Sequence, residues 1–294
     1  MNNNCKEEAR CILCGRKPEE KPEYNVSGFQ IHRCDGRYSF KSNRVRNHQI
    51  MFPSPRLNAK QRKKLYNQSE ISSEKEYKSI EDENNEDFKM RMKTILRYIN
   101  KKDKMLDVGC NIGGFMESGI KAGFKKVIGI DINENALKYA QEKKLEVTSE
   151  CLLKFKGSEF DLITMNDYIE HTEDPYAELM KCSNILRENG IIFITTPDTG
   201  SIMRILMGKR WIHWKPEQHL FLTDRKTICS MLEECGFEIL TVSSIGRTRK
   251  IGKILEKGES YSKLLVKILG RLLNHDRTVY INLFDEMMII ARKK

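Results

Sequence analysis

At 294 residues, with a net charge of +11 and nine cysteines, the chain can hold one large α/β domain and a small extra module. No apolar run approaches the roughly 18 residues of a membrane helix, and the polar start Met1-Asn2-Asn3-Asn4 is no signal peptide, so a cytoplasmic location with free thiols is expected. The charge would suit a nucleic-acid partner, but the basic residues are dispersed among 41 acids, the pattern of solvated faces.

The first cysteines are Cys5, the pair Cys11-Ile12-Leu13-Cys14, and Cys34. A Cys-x-x-Cys knuckle followed by a second pair about twenty residues on is zinc-ribbon spacing, because four soft ligands must converge tetrahedrally on one ion, and here the second pair is incomplete. Arg37 stands where a fourth thiolate is expected, so an ion would need Cys5, His32 or His48. The expected set is Cys11, Cys14, Cys34 and Cys5, within a Cys-rich module over 1–70 that docks or contributes to acceptor binding.

The second domain is expected over 71–294. Ser73 to Asn85 is charged and reads as a solvated helix or linker. Phe88, Met92, Ile95, Leu96 and Ile99 then recur at helical spacing and should cover one face of a sheet.

Met105-Leu106-Asp107-Val108-Gly109-Cys110-Asn111-Ile112-Gly113-Gly114-Phe115 reads as the end of a buried strand, a glycine turn and the start of a helix. A pyrophosphate site needs glycines in G-x-G-x-x-G spacing, and a carboxylate before them would repel it. Here the spacing differs and Asp107 precedes the first glycine, which suits a cationic ligand without phosphate. Val127-Ile128-Gly129-Ile130-Asp131 follows, a second apolar run ending in an acid that could accept two ribose hydroxyls. S-adenosylmethionine, with its sulfonium, ammonium and ribose, has the matching chemistry.

Strands are expected at Leu145 to Thr148, Phe160 to Met165, Ile191 to Thr196, Glu238 to Val242 and Val279 to Ala291. Helices are expected at Phe115 to Ala122, Ala136 to Lys144, Pro175 to Leu186 and Thr223 to Cys235, with an amphipathic helix over Ile251 to Leu273. Such alternation implies a parallel, doubly wound sheet whose ligand lies beyond the carboxyl ends of its strands. The loop after the fourth strand, Asn166-Asp167-Tyr168-Ile169-Glu170-His171-Thr172-Glu173-Asp174-Pro175, enters that region. His171 suits a general base near neutrality, with His219 as second candidate and Asp167 as an acceptor-orienting carboxylate. Trp211, His213 and Trp214, in the insert after the fifth strand, either face the acceptor or form a satellite core.

The glycine turn resembles motif I of the class I S-adenosylmethionine-dependent methyltransferases, and Asp131 matches their acid after the second strand. The Asp-x-x-Glu-His-x-x-Asp-Pro loop resembles that of ubiquinone-biosynthesis O-methyltransferases and their polysaccharide-cluster relatives. Phe52-Pro53-Ser54-Pro55-Arg56-Leu57 with Leu65-Tyr66 resembles the segment after a zinc knuckle in bacterial methyltransferases. The resemblance implies a Rossmann-like, mostly parallel sheet of seven strands with helices on both faces. It implies cofactor contacts from Asp107, Gly109, Cys110, Asn111, Gly113, Asp131, Ile132, Glu150 and Asn166. In the ubiquinone-type relatives the residues matching Asp167, Glu170 and His171 hold a divalent cation, but Asp replaces the usual Glu at 167 and shortens the reach, so no metal is expected there. The expected activity is methyl transfer to a small-molecule or glycan acceptor, at oxygen with nitrogen or carbon acceptors open, and the N-terminal module is either a structural zinc site or a zinc-free remnant with buried thiols. The alternatives are an RNA or protein methyltransferase and a non-catalytic S-adenosylmethionine-binding protein. Against a base-amine methyltransferase, Asn166-Asp167-Tyr168 replaces the Pro-Pro-aromatic loop, and no aromatic-rich basic patch is present.

Overall fold

Short apolar runs that alternate with amphipathic stretches build a seven-stranded sheet covered on both faces. The computed structural model describes residues 6–39, 45–67, 74–258, 274–275 and 277–294. The N-terminal part comprises β1 (Lys6–Glu7), β2 (Tyr24–Val26), β3 (Phe29–Ser39), β4 (Val45–Pro53), β5 (Arg56–Leu57) and α1 (Ala59–Asn67). After it, α2 (Glu74–Ile95) joins the charged stretch and the apolar one into a single helix, with Met92 and Ile95 buried against the sheet.

The sheet domain continues through β6 (Lys104–Val108), α3 (Gly114–Lys121), β7 (Lys126–Ile130), α4 (Glu134–Glu142), β8 (Glu146–Thr148), β9 (Phe160–Asn166), α5 (Pro175–Ile185) and β10 (Leu186–Pro197). Then come α6 (Ile202–Met207), β11 (Leu222–Thr223), α7 (Arg225–Glu234), β12 (Phe237–Lys250), α8 (Ile251–Gly258) and β13 (Thr278–Lys293). Side-chain caps set the helix starts: Asn133 accepts from the amides of Asn135 and Ala136, Asp174 from Ala177, and Asp224 from Thr227. Thr223, expected as the first residue of α7, instead ends β11.

The strand order is β12-β13-β10-β9-β6-β7-β8. Strands β6 to β10 are parallel and β13 runs antiparallel to β10 and β12. The order reverses between β6 and β9, so the ends of these strands open a crevice where motif I and the Asn166–His171 loop meet. β12 and β13 are longer than expected and pair as far as Lys250 and Thr278. Of the amphipathic segment, Ile251–Gly258 is helical, and residues 259–273 lie outside the described part.

Of the N-terminal strands, β1 and β5 pair with each other, while β2, β3 and β4 form a second sheet that takes in a strand from the later part of the chain. β11 adds to them, giving the order β11-β4-β3-β2, with Leu222 opposite Met51 and Thr223 opposite Ile50. Ile31 and Met51 pack with Trp211, Trp214 and Leu222, so the two tryptophans form a satellite core against the N-terminal sheet. Burying side chains of this size contributes roughly 1.5–3 kcal/mol each, which holds the module on the sheet domain.

Candidate functional site

At the glycine turn, the chain leaves β6 through Gly109, whose φ of +74° and whose missing Cβ let the Tyr168 ring approach; a methyl there would lie 2.6 Å from Tyr168 Cδ2. Gly113 has φ +80°, and a Cβ would meet Leu145 Cδ1 at 2.2 Å. The amides of Gly109 and Cys110 both donate to Ile130 O, which ties the loop to β7. Asp107 is buried and accepts from Thr164 Oγ1 at 2.7 Å. Burial pushes its carboxyl up to about 7, and the charge of Asp131 adds to the rise. A cation beside it would hold it ionised.

Asp131 accepts from the amides of Asn111 and Asn133, each at 2.8 Å. A carboxylate has about four lone-pair directions, so both oxygens keep room for a second donor. Asn111 takes φ +48° to deliver its amide. Ile132 and Glu150, just past the ends of β7 and β8, are exposed. Cys110 is buried with its thiol toward Gly129, so of this residue only the backbone is directed to the turn.

At the end of β9, Asn166 accepts through Oδ1 from Arg91 Nη1 at 2.9 Å. Arg91 projects from α2, is 3% exposed, and its Nε has no partner among the described residues. Burial lowers its pKa, with Asp167 opposing the effect. Sequence reasoning missed Arg91 because it read this stretch only for its apolar period. The available signal was a lone arginine between Phe88, Met92 and Ile95.

On the other side of the loop lies a cavity of about 440 Å³. Asp167 has φ +50°. Its Oδ1 accepts from Thr195 Oγ1 at 3.1 Å and its Oδ2 from Arg247 Nη2 at 2.7 Å. Burial works against its charge, but Arg247 and Arg91 hold the carboxyl well below the usual carboxylate range. Glu170, 1% exposed, accepts from Thr196 Oγ1 at 2.9 Å. Burial, reinforced by Asp167, pushes it up to about 8.

His171 and His219 meet edge to face with ring centroids 4.8 Å apart. Nδ1 of His171 donates to Gln218 O at 3.1 Å, and Nδ1 of His219 to His213 O at 2.9 Å. A carbonyl can only accept, so both rings carry their lone pair on Nε2. Burial lowers His171 to about 4 and also holds His219 well below the usual histidine value, so both are neutral at pH 7. Donor atoms of Glu170, His171 and His219 lie within 4.8 Å of one another, a set that could hold a divalent cation. The resemblance implied Asp167 in that set; its carboxylate is instead engaged by Arg247 and Thr195.

Of the insert's three ring residues only His213 lines the cavity. Trp211 donates to Asp285 and Trp214 to Gly208 O, and both rings are buried in the satellite core. Arg247, which also donates to Glu286 at 2.8 Å, was not read from the sequence. It stands on the extension of β12, where only the pairing with β13 brings it over Asp167.

A second cluster lies in the N-terminal part. One donor atom each of Cys11, Cys14, Cys34 and His48 falls within 4.8 Å of the others, a set that could hold a divalent cation. Cys5, expected as a ligand, lies outside the described residues. His32 turns away, with Nε2 3.2 Å from Ser54 O.

The methyltransferase domain family matches residues 77–242. Ubiquinone biosynthesis O-methyltransferases are similar: that of Leptothrix cholodnii is 29% identical over 137 residues, 42% of this chain and 58% of that protein. That of Glaesserella parasuis is 32% identical over 139 residues, 40% of this chain and 58% of that protein. The chain thus spans a little over half the length of these curated relatives. A solved S-adenosylmethionine-dependent methyltransferase from Archaeoglobus fulgidus shares the fold, with a TM-score of 0.50 at 20% identity over 71% of this chain and 94% of that one.

Proposed function

The chain belongs to the methyltransferase domain family, and from that premise we propose that it transfers a methyl group from S-adenosylmethionine to an oxygen of a small-molecule or glycan acceptor. The observation that carries the reading is the shared loop Asn166–His171. One end of it joins Asn166 and Arg91 beside the glycine turn, and the other puts Glu170 and His171 in the cavity.

S-adenosylmethionine, when bound, supplies a methyl carbon already activated by the sulfonium. The chain's task is to position that group and the acceptor and to take the acceptor's proton. Asp131 accepts the ribose hydroxyls and Asp107 stabilises the positive charge. Gly109, Gly113 and the backbone of Cys110 and Asn111 shape the turn, and Ile132 and Glu150 border the adenine. Arg91 holds the cofactor's carboxylate through its buried guanidinium. His171 takes the hydroxyl proton on Nε2, with His219 beside it, while Asp167 orients the acceptor-side arginine and offsets the charge that develops on His171.

For Arg91→Met, affinity for S-adenosylmethionine should fall roughly 10- to 100-fold, the value of a hydrogen bond to a charged group. Adenosine, which lacks the amino-acid part, should bind as to the wild type. Calorimetry with both ligands checks this; equal losses would remove the carboxylate assignment.

The function is tested by incubating the full chain with methyl-labelled S-adenosylmethionine and a bacterial lysate, then separating RNA, protein and small-molecule or glycan fractions. Label in the small-molecule or glycan fraction supports the proposal. Label confined to RNA or protein overturns the acceptor class, and label in no fraction beside intact cofactor binding favours a non-catalytic binding protein.

A further inference from the structure

We propose that Cys11, Cys14, Cys34 and His48 bind one zinc ion, and that this ion fixes the acceptor-side segment through β4 and β11. A tetrahedron with metal–sulfur bonds of about 2.3 Å and a metal–nitrogen bond of about 2.0 Å has edges of about 3.8 Å between sulfurs and about 3.5 Å from sulfur to nitrogen. His48 Nε2 lies 3.4 Å from Cys11 Sγ and 3.5 Å from Cys34 Sγ, and Cys14 Sγ lies 3.6 Å from Cys34 Sγ. These match three of the six edges of a zinc tetrahedron, the other three pairs also lie within 4.8 Å, and 3.6 Å is far beyond a disulfide bond of about 2.0 Å. The surroundings are shaped for the ring. Gly36 stands opposite His48 across β3 and β4, and a Cβ there would lie 2.9 Å from His48 Cε1. The knuckle closes on itself, with Gly15 N donating to Cys11 O and Cys11 N to Arg16 O.

His48 replaces the thiolate that Arg37 displaces, and the replacement changes what the ion holds. A ligand at position 37 would tie the knuckle to β3 alone. His48 ties it to β4, whose next residue, Gln49, donates to Thr227 Oγ1 on α7 and accepts from Thr223 Oγ1 on β11. β11 begins three residues after His219. The ion therefore braces the strand from which the second cavity histidine is suspended, without touching motif I.

The test uses the full chain purified without chelator, and none of its readouts depends on methyl transfer. Elemental analysis should find one zinc per chain. His48→Ala should lose it, while Cys5→Ser and His32→Ala keep it. Full zinc in His48→Ala, or loss in Cys5→Ser, overturns the ligand set. Should His48→Ala fail to fold, cobalt(II) added to the chelated wild-type chain decides. Tetrahedral d–d bands with thiolate charge transfer are expected, and an octahedral spectrum or no binding overturns the site. Chelation should also speed amide exchange over residues 47–53 and 222–227 and leave Val127–Ile130 protected. Unchanged exchange in the first two segments overturns the bracing role.

Discussion

Asp131→Ala is expected to abolish measurable binding of S-adenosylmethionine while leaving the chain folded. Two ribose hydroxyls donating to one ionised carboxylate are worth about 1.5–3 kcal/mol each, so their joint loss weakens binding by roughly 10²- to 10⁴-fold. The same substitution releases the amides of Asn111 and Asn133, which adds loosening of the glycine turn to the lost contacts. The fold should survive because α4 keeps its own cap: Asn133 Oδ1 accepts from Asn135 and Ala136 whether or not Asp131 is present. Asp131→Asn retains one acceptor oxygen and should lose less. Titration calorimetry beside a thermal melt measures both; wild-type affinity in Asp131→Ala removes the ribose assignment.

His171→Ala should lower kcat by about 10²- to 10⁴-fold, the usual contribution of a general base, with cofactor affinity unchanged. The wild-type ring sits in a buried site that lowers its pKa to about 4. It is therefore neutral and able to accept a proton throughout the neutral range, and the acid limb of kcat should fall well below the ordinary histidine value of about 6.5. Holding the imidazolium transiently is the harder step, and the charged Asp167 is the nearest compensation. Single-turnover rates across pH check both parts. An unchanged rate in His171→Ala would move the base role to His219, whose Nε2 faces the same cluster.

Much of the sheet was legible because its strands are buried on both faces and read as apolar runs. Met105 to Val108, Val127 to Ile130 and Phe160 to Met165 appear in the structure within a residue or two of their expected limits. The glycine turn with its two acids was legible for a related reason. A glycine turn between two acids at adjacent strand ends is local chemistry, written in one continuous stretch. The cavity beyond the Asn166–His171 loop was less so. His171 and His219 could be named, but Arg247 and Glu286 could not, because Arg247 reaches Asp167, and Glu286 reaches Arg247, only through the long β12–β13 pairing, with register shifts at Ile239/Thr241 and Ile245/Arg247. Arg91 was hidden in an amphipathic helix whose period explained every neighbour but itself.

By itself, then, the sequence determined the class of sheet, the glycine turn with its two acids and the histidine loop, since each depends on residues close in the chain whose burial or backbone freedom is set locally. Tertiary structure alone decided which distant side chains share a site. It placed His48 rather than another residue beside the three thiols, turned Trp211 and Trp214 onto the N-terminal sheet, and set Arg247 against Asp167. The physical reason is that strand register and sheet order carry residues more than a hundred positions apart to within hydrogen-bond distance, as with Gln49 and Thr227, and no local periodicity encodes that placement.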